Sequence, residues 1–181
     1  MKKRTVALLM AAVLLFGAAV GGTLALLTDK TETITNTFTA GKVSIDLTET
    51  LPTDKTIKMI PGLEIQKNPT ITVHSGSEAC YVFVKVEAPA ALSTYVTYSV
   101  DANNWTKLDG EDNVWYKEFN DVVGTDTALG ILTGNVVTIK DVDADTMASA
   151  SNMDLVFTGY AVQKLDVADA AAAWDIAKEL D

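Results

Sequence analysis

Few residues in this chain have side chains that could carry out catalysis. His74 is the only histidine and Cys80 the only cysteine, so any serine–histidine or cysteine–histidine pair would have to use His74. Strand alternation places Cys80 on the same face as Val82 and Val84, away from His74. Neither a zinc-protease HExxH helix nor a glycine-rich phosphate loop is found. The sequence therefore predicts no enzyme, no catalytic residue and no cofactor, and it predicts that the Cys80 side chain is buried and unreactive.

Three aspartates at alternate positions, Asp141, Asp143 and Asp145, resemble the start of an EF-hand calcium loop. Later positions of that loop do not match, because the sixth is Thr146 instead of glycine and the twelfth is Asn152 instead of glutamate. Two interpretations stay open. The aspartates form either a weak calcium site or a solvated cluster of charges, and they are the metal candidates of this sequence.

The first 25 residues have the three parts of a secretory signal peptide. Residues 2–4 are basic, and residues 6–19 form an apolar stretch. Gly21-Gly22 would break the helix, and small residues precede a predicted cleavage site between Ala25 and Leu26. The competing interpretation is an uncleaved anchor, because the uncharged stretch is long enough to cross a bilayer. We prefer the signal peptide, since the small residues and the glycine break have no use in an anchor.

The rest of the chain is acidic. All 24 Asp and Glu residues of the 181-residue sequence follow the leader, whereas three of the 14 basic residues lie within it. This charge disfavours nucleic acid and anionic membranes as partners, so membrane contact is predicted only through an uncleaved leader. A single cysteine excludes an intrachain disulfide, and the length after the leader fits one domain.

Alternating apolar and polar residues predict a β-rich domain after residue 40. The clearest strand is 80–87, in which Tyr81 and Phe83 lie on the face opposite Cys80. Gly159 is predicted to mark a bulge, and the Gly/Thr-rich residues 122–134 are predicted to form a loop. The predicted strands are 43–47, 70–74, 80–87, 95–100, a hairpin in 105–119 with its turn at 109–113, 136–140 and 153–163.

One helical stretch is predicted after the leader. Asp166 is its predicted N-cap, and apolar residues then recur at helical spacing, with Trp174 packing on the sheets. The whole pattern predicts an all-β fold: a jelly-roll-like β-sandwich with a short C-terminal helix, preceded by a signal-peptide helix. The predicted organisation is a signal peptide in residues 1–25, an N-terminal extended segment in residues 26–40 and a β-sandwich domain in residues 41–181.

The order of these features resembles the TasA/camelysin family of exported proteins of Gram-positive bacteria. The resemblance rests on the leader end at residues 21–25, on Leu27-Thr-Asp29, and on Asn36-Thr-Phe-Thr-Ala-Gly41 followed by an alternating strand. Pro61-Gly62 and a late strand at 155–163 are also similar to that family. The resemblance implies a jelly-roll-like domain, a leader removed by a SipW-like signal peptidase, secretion, and assembly into extracellular fibres of the biofilm matrix.

Residues 26–39 are the predicted assembly segment. Ile34 and Phe38 lie four residues apart and share one face of an extended strand. They could fill a groove in a neighbouring molecule whose open sheet edge accepts the segment. The first hypothesis is therefore a secreted structural protein of the extracellular or biofilm matrix that self-associates into fibres by strand exchange. The competing interpretation pairs the segment with its own domain or leaves it disordered.

The second hypothesis is a monomeric, non-enzymatic binding module on the cell surface that recognises a glycan or a cell-wall protein. An aromatic platform would carry the binding, and its candidates are Trp105, Trp115, Tyr116 and Tyr81. The same side chains also suit cross-strand pairs within a hairpin. The two hypotheses differ in the oligomeric state that they predict for the exported protein.

Overall fold

A computed structural model describes residues 41–50, 58–150 and 153–180. These residues form three antiparallel sheets and a few short helices, so the predicted all-β class with a short C-terminal helix is confirmed. The strands are β1 (Ile45–Thr48), β2 (Glu64–Gln66), β3 (Thr70–Val73), β4 (Cys80–Glu87), β5 (Val96–Thr97), β6 (Thr106–Lys107), β7 (Val114–Phe119), β8 (Thr127–Gly130), β9 (Val136–Ile139) and β10 (Val156–Gln163). The helices are α1 (Leu92–Tyr95), α2 (Ala144–Ala148) and α3 (Ala170–Ala177), with 3-10 turns at Thr133–Asn135 and Lys178–Leu180.

Three sheets divide these strands between them. The first sheet has the order β1-β3-β8, the second β10-β4-β7-β6 and the third β2-β9-β5. Each pair of neighbouring strands in these sheets is antiparallel. Strand β10 therefore lies at one edge of the second sheet, and β1 lies at one edge of the first.

Strand β4 has the bounds that the sequence predicts, and both of its faces are buried. Cys80, Val82 and Val84 pack into the main core with residues of the first and third sheets. On the opposite face, Tyr81 and Phe83 pack beneath α3 in a second apolar cluster. The strand therefore reads as almost continuously apolar because it separates two cores.

Gly159 marks a close approach between sheets and not a bulge, so the predicted bulge is wrong. The register of β10 on β4 runs without interruption through the pair Gly159 and Val84. A Cβ at residue 159 would lie 3.0 Å from Ile71 Cδ1 and 3.6 Å from Ile45 Cδ1. Glycine is needed here because the first sheet packs directly on the β10 backbone.

Two further segments differ from their sequence predictions. Part of the predicted loop 122–134 is strand β8, which pairs with β3 along its whole length. Residues 95–100 are predicted to form one strand, but Tyr95 is the last residue of α1 and only Val96–Thr97 form strand β5. Val100 makes an isolated bridge to Leu132. Pairing with strands that are distant in the sequence decides the structure of both segments. Alternation of apolar and polar residues within a segment does not reveal such pairing.

The C-terminal helix α3 begins three residues later than the sequence suggests. Asp169 is its N-cap and accepts a hydrogen bond from the Ala172 amide at 2.9 Å. Asp166, the predicted cap, has a φ of 61° and lies in the preceding turn. The predicted packing of Trp174 is confirmed, because its ring is buried and lies 5.4 Å from the ring of Phe83 and 5.3 Å from that of Tyr160.

Candidate functional site: an open strand edge beside an apolar groove

An apolar groove of about 500 Å³ opens where β1 and β10 diverge, with the third sheet as its floor. Pockets of this size and character are typical of ligand-binding or docking sites. Two methionines among the lining residues can adapt their shape to an occupant. Apolar side chains line most of the groove: Leu47, Met59, Ile65, Pro69, Leu92, Val96, Val137, Ile139, Met153, Leu155, Val156 and Phe157.

A mostly buried ion pair lies within this lining. Lys67 Nζ lies 2.8 Å from Glu49 Oε1, and both side chains are mostly buried. The same ammonium group lies 5.4 Å from the centre of the Phe157 ring. Because burial of an isolated charge is costly, the two partners depend on each other, and they fix one wall of the groove beside β1.

Strand β10 forms the other wall, and no described strand pairs with its outer edge. Within the described residues β10 pairs only with β4. Its eight residues include neither a charged residue nor a proline, although natural edge strands usually carry such residues to prevent pairing with other chains. By contrast, Asp46, Glu64 and Lys107 lie in the edge strands β1, β2 and β6. The open edge of β10 is the longest one that the described chain presents.

The backbone groups that face outward from β10 can be assigned from the ladder. The Lys164 amide donates to the Ala79 carbonyl at 2.8 Å, one pair beyond the end of the β10–β4 register. Antiparallel ladders alternate between bonded and non-bonded pairs. The amides and carbonyls of the odd-numbered residues 157–163 therefore point away from β4, toward the open side.

The chain reaches β1 from the end opposite the groove. The Lys42 carbonyl accepts from the Glu78 amide at 2.9 Å, and the neighbouring Ala79 carbonyl accepts from Lys164. Residues 41–44 therefore lie at the same end of the domain as the end of β10; we call this the entry end. The other end, where Leu47 and Phe157 line the groove, is the groove end. Strands β1 and β10 thus run in opposite directions.

His74 joins the first sheet across its width through its two ring nitrogens. Its Nε2 lies 2.9 Å from Asp46 Oδ2 on β1, and its Nδ1 lies 3.2 Å from Asp126 Oδ2 just before β8. The hydrogen bonds that His74 donates to Asp46 and then to Asp126 raise its pKa. The pKa of Asp126 is lowered, mainly by the hydrogen bond from the Ser75 amide and also by His74. We call this arrangement the histidine clasp.

The clasp leaves no ring nitrogen for other chemistry. An ionised carboxylate only accepts hydrogen bonds, so both contacts are satisfied when both ring nitrogens carry protons. Asp46 contacts Nε2 and Asp126 contacts Nδ1. A metal ion bound to one ring nitrogen would therefore have only one of the two carboxylates beside it. This arrangement suits a charged tie between strands.

The aspartates 141, 143 and 145 lie at the start of α2. Asp143 is the N-cap of that helix and accepts from the Thr146 amide and the Thr146 hydroxyl, each at 2.8 Å. The Thr146 amide also holds the pKa of Asp143 below its usual value. The described residues contain no group of three or more His, Cys, Asp or Glu side chains placed to hold a metal ion. The capping role accounts for the position of Asp143.

Cys80 and the four aromatic candidates all pack in or against the main core or the second apolar cluster. Cys80 is fully buried, as predicted, and burial raises the pKa of its thiol to about 11. Trp105 and Tyr81 are also buried, and Trp105 Nε1 donates to the Gly130 carbonyl at 2.9 Å. Trp115 packs toward the main core and Tyr116 toward the second cluster. The four aromatic candidates therefore do not form one exposed platform.

The predicted cleavage site at Ala25 and Leu26 and the assembly residues Ile34 and Phe38 lie outside the described residues. Among the helices that are described, none has the length and apolar character needed to cross a membrane. Comparison of the chain with protein-family models, with curated proteins and with solved structures gives no match. The open β10 edge and its groove are the features that sequence reasoning missed. The uncharged run 155–163 was their one visible signal.

Proposed function

We propose that this chain is a secreted structural protein of the extracellular or biofilm matrix, and that it assembles into fibres by strand exchange. In this proposal the leader is a signal-peptide helix, a SipW-like signal peptidase cuts it between Ala25 and Leu26, and the remaining chain folds as a jelly-roll-like β-sandwich. The protein is not an enzyme. The resemblance of its N-terminal motifs to the TasA/camelysin family and its acidic surface support export.

The observation that carries the proposal is the open edge of β10 beside the apolar groove. An edge of eight residues without charge or proline is a ready template for another strand. The groove beside it offers burial for apolar side chains of that strand, at roughly 25 cal/mol per Å² before the cost of ordering the strand. Ile34 and Phe38 of the N-terminal segment are suitable occupants, because residues four apart share one face of any extended strand.

Deletion of residues 26–39 tests this function. The exported wild-type protein is expected to form long assemblies at high concentration, visible by electron microscopy of the secreted protein and by light scattering. The deletion variant is expected to keep the circular dichroism of a β-protein and to remain a monomer. A wild-type protein that stays monomeric at every concentration would refute the proposal, as would a deletion variant that still polymerises.

A monomeric binding module on the cell surface is the second candidate. The volume and apolar lining of the groove favour it, because pockets of about 500 Å³ are the usual size for small-ligand sites. The ligand in this case is a glycan or a segment of a cell-wall protein. Light scattering separates the two candidates, since this second function requires a protein that stays monomeric when the N-terminal segment is intact.

A further inference from the structure

We propose that the side chains of Lys164 and Asn120 condense to an amide, an isopeptide bond, with Glu118 as the catalytic residue. The bond forms once, within one molecule, and it ties the end of β10 to the end of β7 across β4. This modification is independent of the proposed function, because it needs neither the leader nor assembly. Three observations carry it: the register of the second sheet, the contacts of the Lys164 ammonium group, and the chemistry of the groups around it.

The register of the second sheet brings the two reacting residues to the same level. Phe119 and Gln163 lie opposite the same residue of β4, one on each side. Asn120 and Lys164 come next along the chain, and the Lys164 amide continues the ladder with a hydrogen bond of 2.8 Å to the Ala79 carbonyl. Two strand spacings, about 10 Å, separate the two backbones. An extended lysine and an asparagine side chain can together bridge that distance.

The side chains involved lie on the face of the sheet that α3 covers. Tyr81 belongs to the second apolar cluster, and its partners in the register are Glu118 and Val162. Asn120 and Lys164 follow these partners by two residues, so they share the same face. The ring of Tyr81 is buried and lies 5.5 Å from Lys164 Nζ, so it excludes water from one side of the ammonium group.

The ammonium nitrogen of Lys164 lies against both groups that the reaction requires. It forms an ion pair with Glu118 and donates a hydrogen bond of 2.5 Å to Asn120 Oδ1. Because a C=O bond is about 1.23 Å long, Nζ lies at most about 3.7 Å from the amide carbon of Asn120. Reacting atoms in a near-attack arrangement are about 3–3.5 Å apart. A small torsional change of the lysine therefore moves its nitrogen from the amide oxygen to the amide carbon.

The carboxylate of Glu118 can accept and return the proton that the reaction moves. Its hydrogen bond with Lys164 raises the pKa of the lysine and lowers that of the carboxyl group, so the resting pair is charged. Transfer of one proton from Nζ to Glu118 gives the neutral amine, which is the nucleophile. A hydrogen bond with Tyr81 also holds the carboxyl group, which makes Tyr81 a positioning residue.

The reaction balances without an oxidant or another reactant. The lysine amine attacks the amide carbon of Asn120, and a new C–N bond forms. The bond from that carbon to the amide nitrogen breaks as Glu118 returns its proton to this nitrogen. The new amide nitrogen also gives up a proton, which leaves with ammonia as an ammonium ion. Glu118 ends as a carboxylate, and the partial exposure of the Lys164 and Glu118 side chains gives the product a path to solvent.

The bond gives the domain a covalent cross-link that its cysteine content does not allow. The chain has one cysteine and therefore no intrachain disulfide. Joining residues 120 and 164 limits the conformations of the unfolded chain in the same way as a disulfide. The bond also holds β7 and β10 on either side of β4. The cross-linked protein is therefore expected to melt at a higher temperature than a variant that cannot form the bond.

Tryptic peptide mapping by mass spectrometry tests the bond. Trypsin cleaves after a free lysine but not after one whose side chain is an amide. After prolonged incubation of the folded protein and complete digestion, we expect peptide 118–140 joined to peptide 141–178. The joined mass is expected to be lower than the sum of the two peptides by the mass of one ammonia molecule. Recovery of only the separate peptides 118–140, 141–164 and 165–178 would overturn the inference.

Two lysine variants form a matched pair of controls. Lys164→Arg keeps the positive charge but has no amine to form the bond, so its digest is expected to contain no joined peptides. Lys178→Arg changes a lysine whose Nζ lies 2.5 Å from Asp175 Oδ1, and the joined peptides are expected to remain. Joined peptides of the same mass from Lys164→Arg would show that another reaction produces them, and the inference would be wrong.

Glu118→Gln tests the catalytic role separately from folding. Glutamine keeps a hydrogen-bonding side chain but cannot accept the proton, so the variant is expected to have the wild-type circular dichroism and no joined peptides. Its melting temperature should match that of Asn120→Ala and lie below that of the wild-type protein. If Glu118→Gln forms the bond at the wild-type rate, Glu118 is not the catalytic residue and the mechanism is wrong.

Discussion

Strands β4 and β10 are equally long and pair with each other along their whole length, yet their surroundings differ. Strand β4 has neighbours on both sides and a core on each face. Strand β10 has a neighbour on one side only within the described chain, and it borders a groove. Length and apolar character therefore do not decide the surroundings of a strand: β4 has two neighbouring strands, whereas β10 has one within the described residues.

The largest expected effect lies on β4. Phe83 is fully buried and contacts the rings of Tyr81, Tyr116 and Trp174. Phe83→Ala is expected to lower the free energy of unfolding by about 3–5 kcal/mol, through lost burial and a cavity. Urea denaturation measures this change. Val156→Ala on β10 is the comparison, and its partly exposed side chain should cost less than about 0.5 kcal/mol. Equal losses would contradict the distinction between the two strands.

The next effect concerns the helix that covers the outer face of β4. Asp169→Ala removes the cap of α3 and is expected to cost about 1 kcal/mol. The near-ultraviolet signal of Trp174 should weaken with it. Asp166→Asn serves as the control, because asparagine tolerates the positive φ at that position and residue 166 caps nothing. A larger loss from the control than from Asp169→Ala would show that the helix begins at the earlier residue.

A smaller effect on stability is expected in the groove. Leu47 is 40% exposed at the groove wall, so Leu47→Ser should change the free energy of unfolding by less than about 0.5 kcal/mol. Its effect on assembly should be larger, because an incoming strand would bury this side chain. The variant is therefore expected to fold normally and to need a higher concentration to assemble. Assembly at the wild-type concentration would mean that this wall of the groove takes no part in assembly.

The smallest effect is the pH dependence of the histidine clasp. The pKa of His74 is raised above its ordinary value of 6.5 in the folded protein. The stabilisation is therefore present below pH 6.5, and it is lost as the pH rises through the raised pKa. Comparing melting temperatures on both sides of that pKa should show a decrease that is absent in His74→Gln. The exposed carboxylates make the change small, and an identical decrease in the variant would exclude the clasp as its source.

Local patterns predicted those parts of the fold whose partners are close in sequence. The bounds of β4, the hairpin between β6 and β7, and the turn at Pro61-Gly62 follow from alternation and turn chemistry, and Gly62 has the positive φ that such a turn requires. Strand β8 was missed because its four residues gain their order from β3, more than fifty residues earlier. The predicted N-cap of α3 is wrong because Asp166 and Asp169 lie three residues apart and either could cap a helix that starts there.

The candidate site was less accessible to sequence reasoning than the fold. The N-terminal motif predicts a donor segment, but no pattern indicates which strand has the longest edge without a described neighbour. An edge is defined by the neighbour that a strand lacks, and pairings between distant strands decide this. Gly159 shows the same limit, because a glycine in a strand suggests a bulge until the packing of Ile71 against it is known.

The opposite positions of the entry end and the groove end also have a mechanical consequence. A force that pulls residues 41–44 away from residue 156 loads β10 along its length, because β10 runs from the groove end to the entry end. Such a load acts along the strands and stretches all the hydrogen bonds between them together, in shear. A strand pulled outward at one end would instead lose its hydrogen bonds one at a time. A chain without a disulfide can in this way resist pulling through geometry alone.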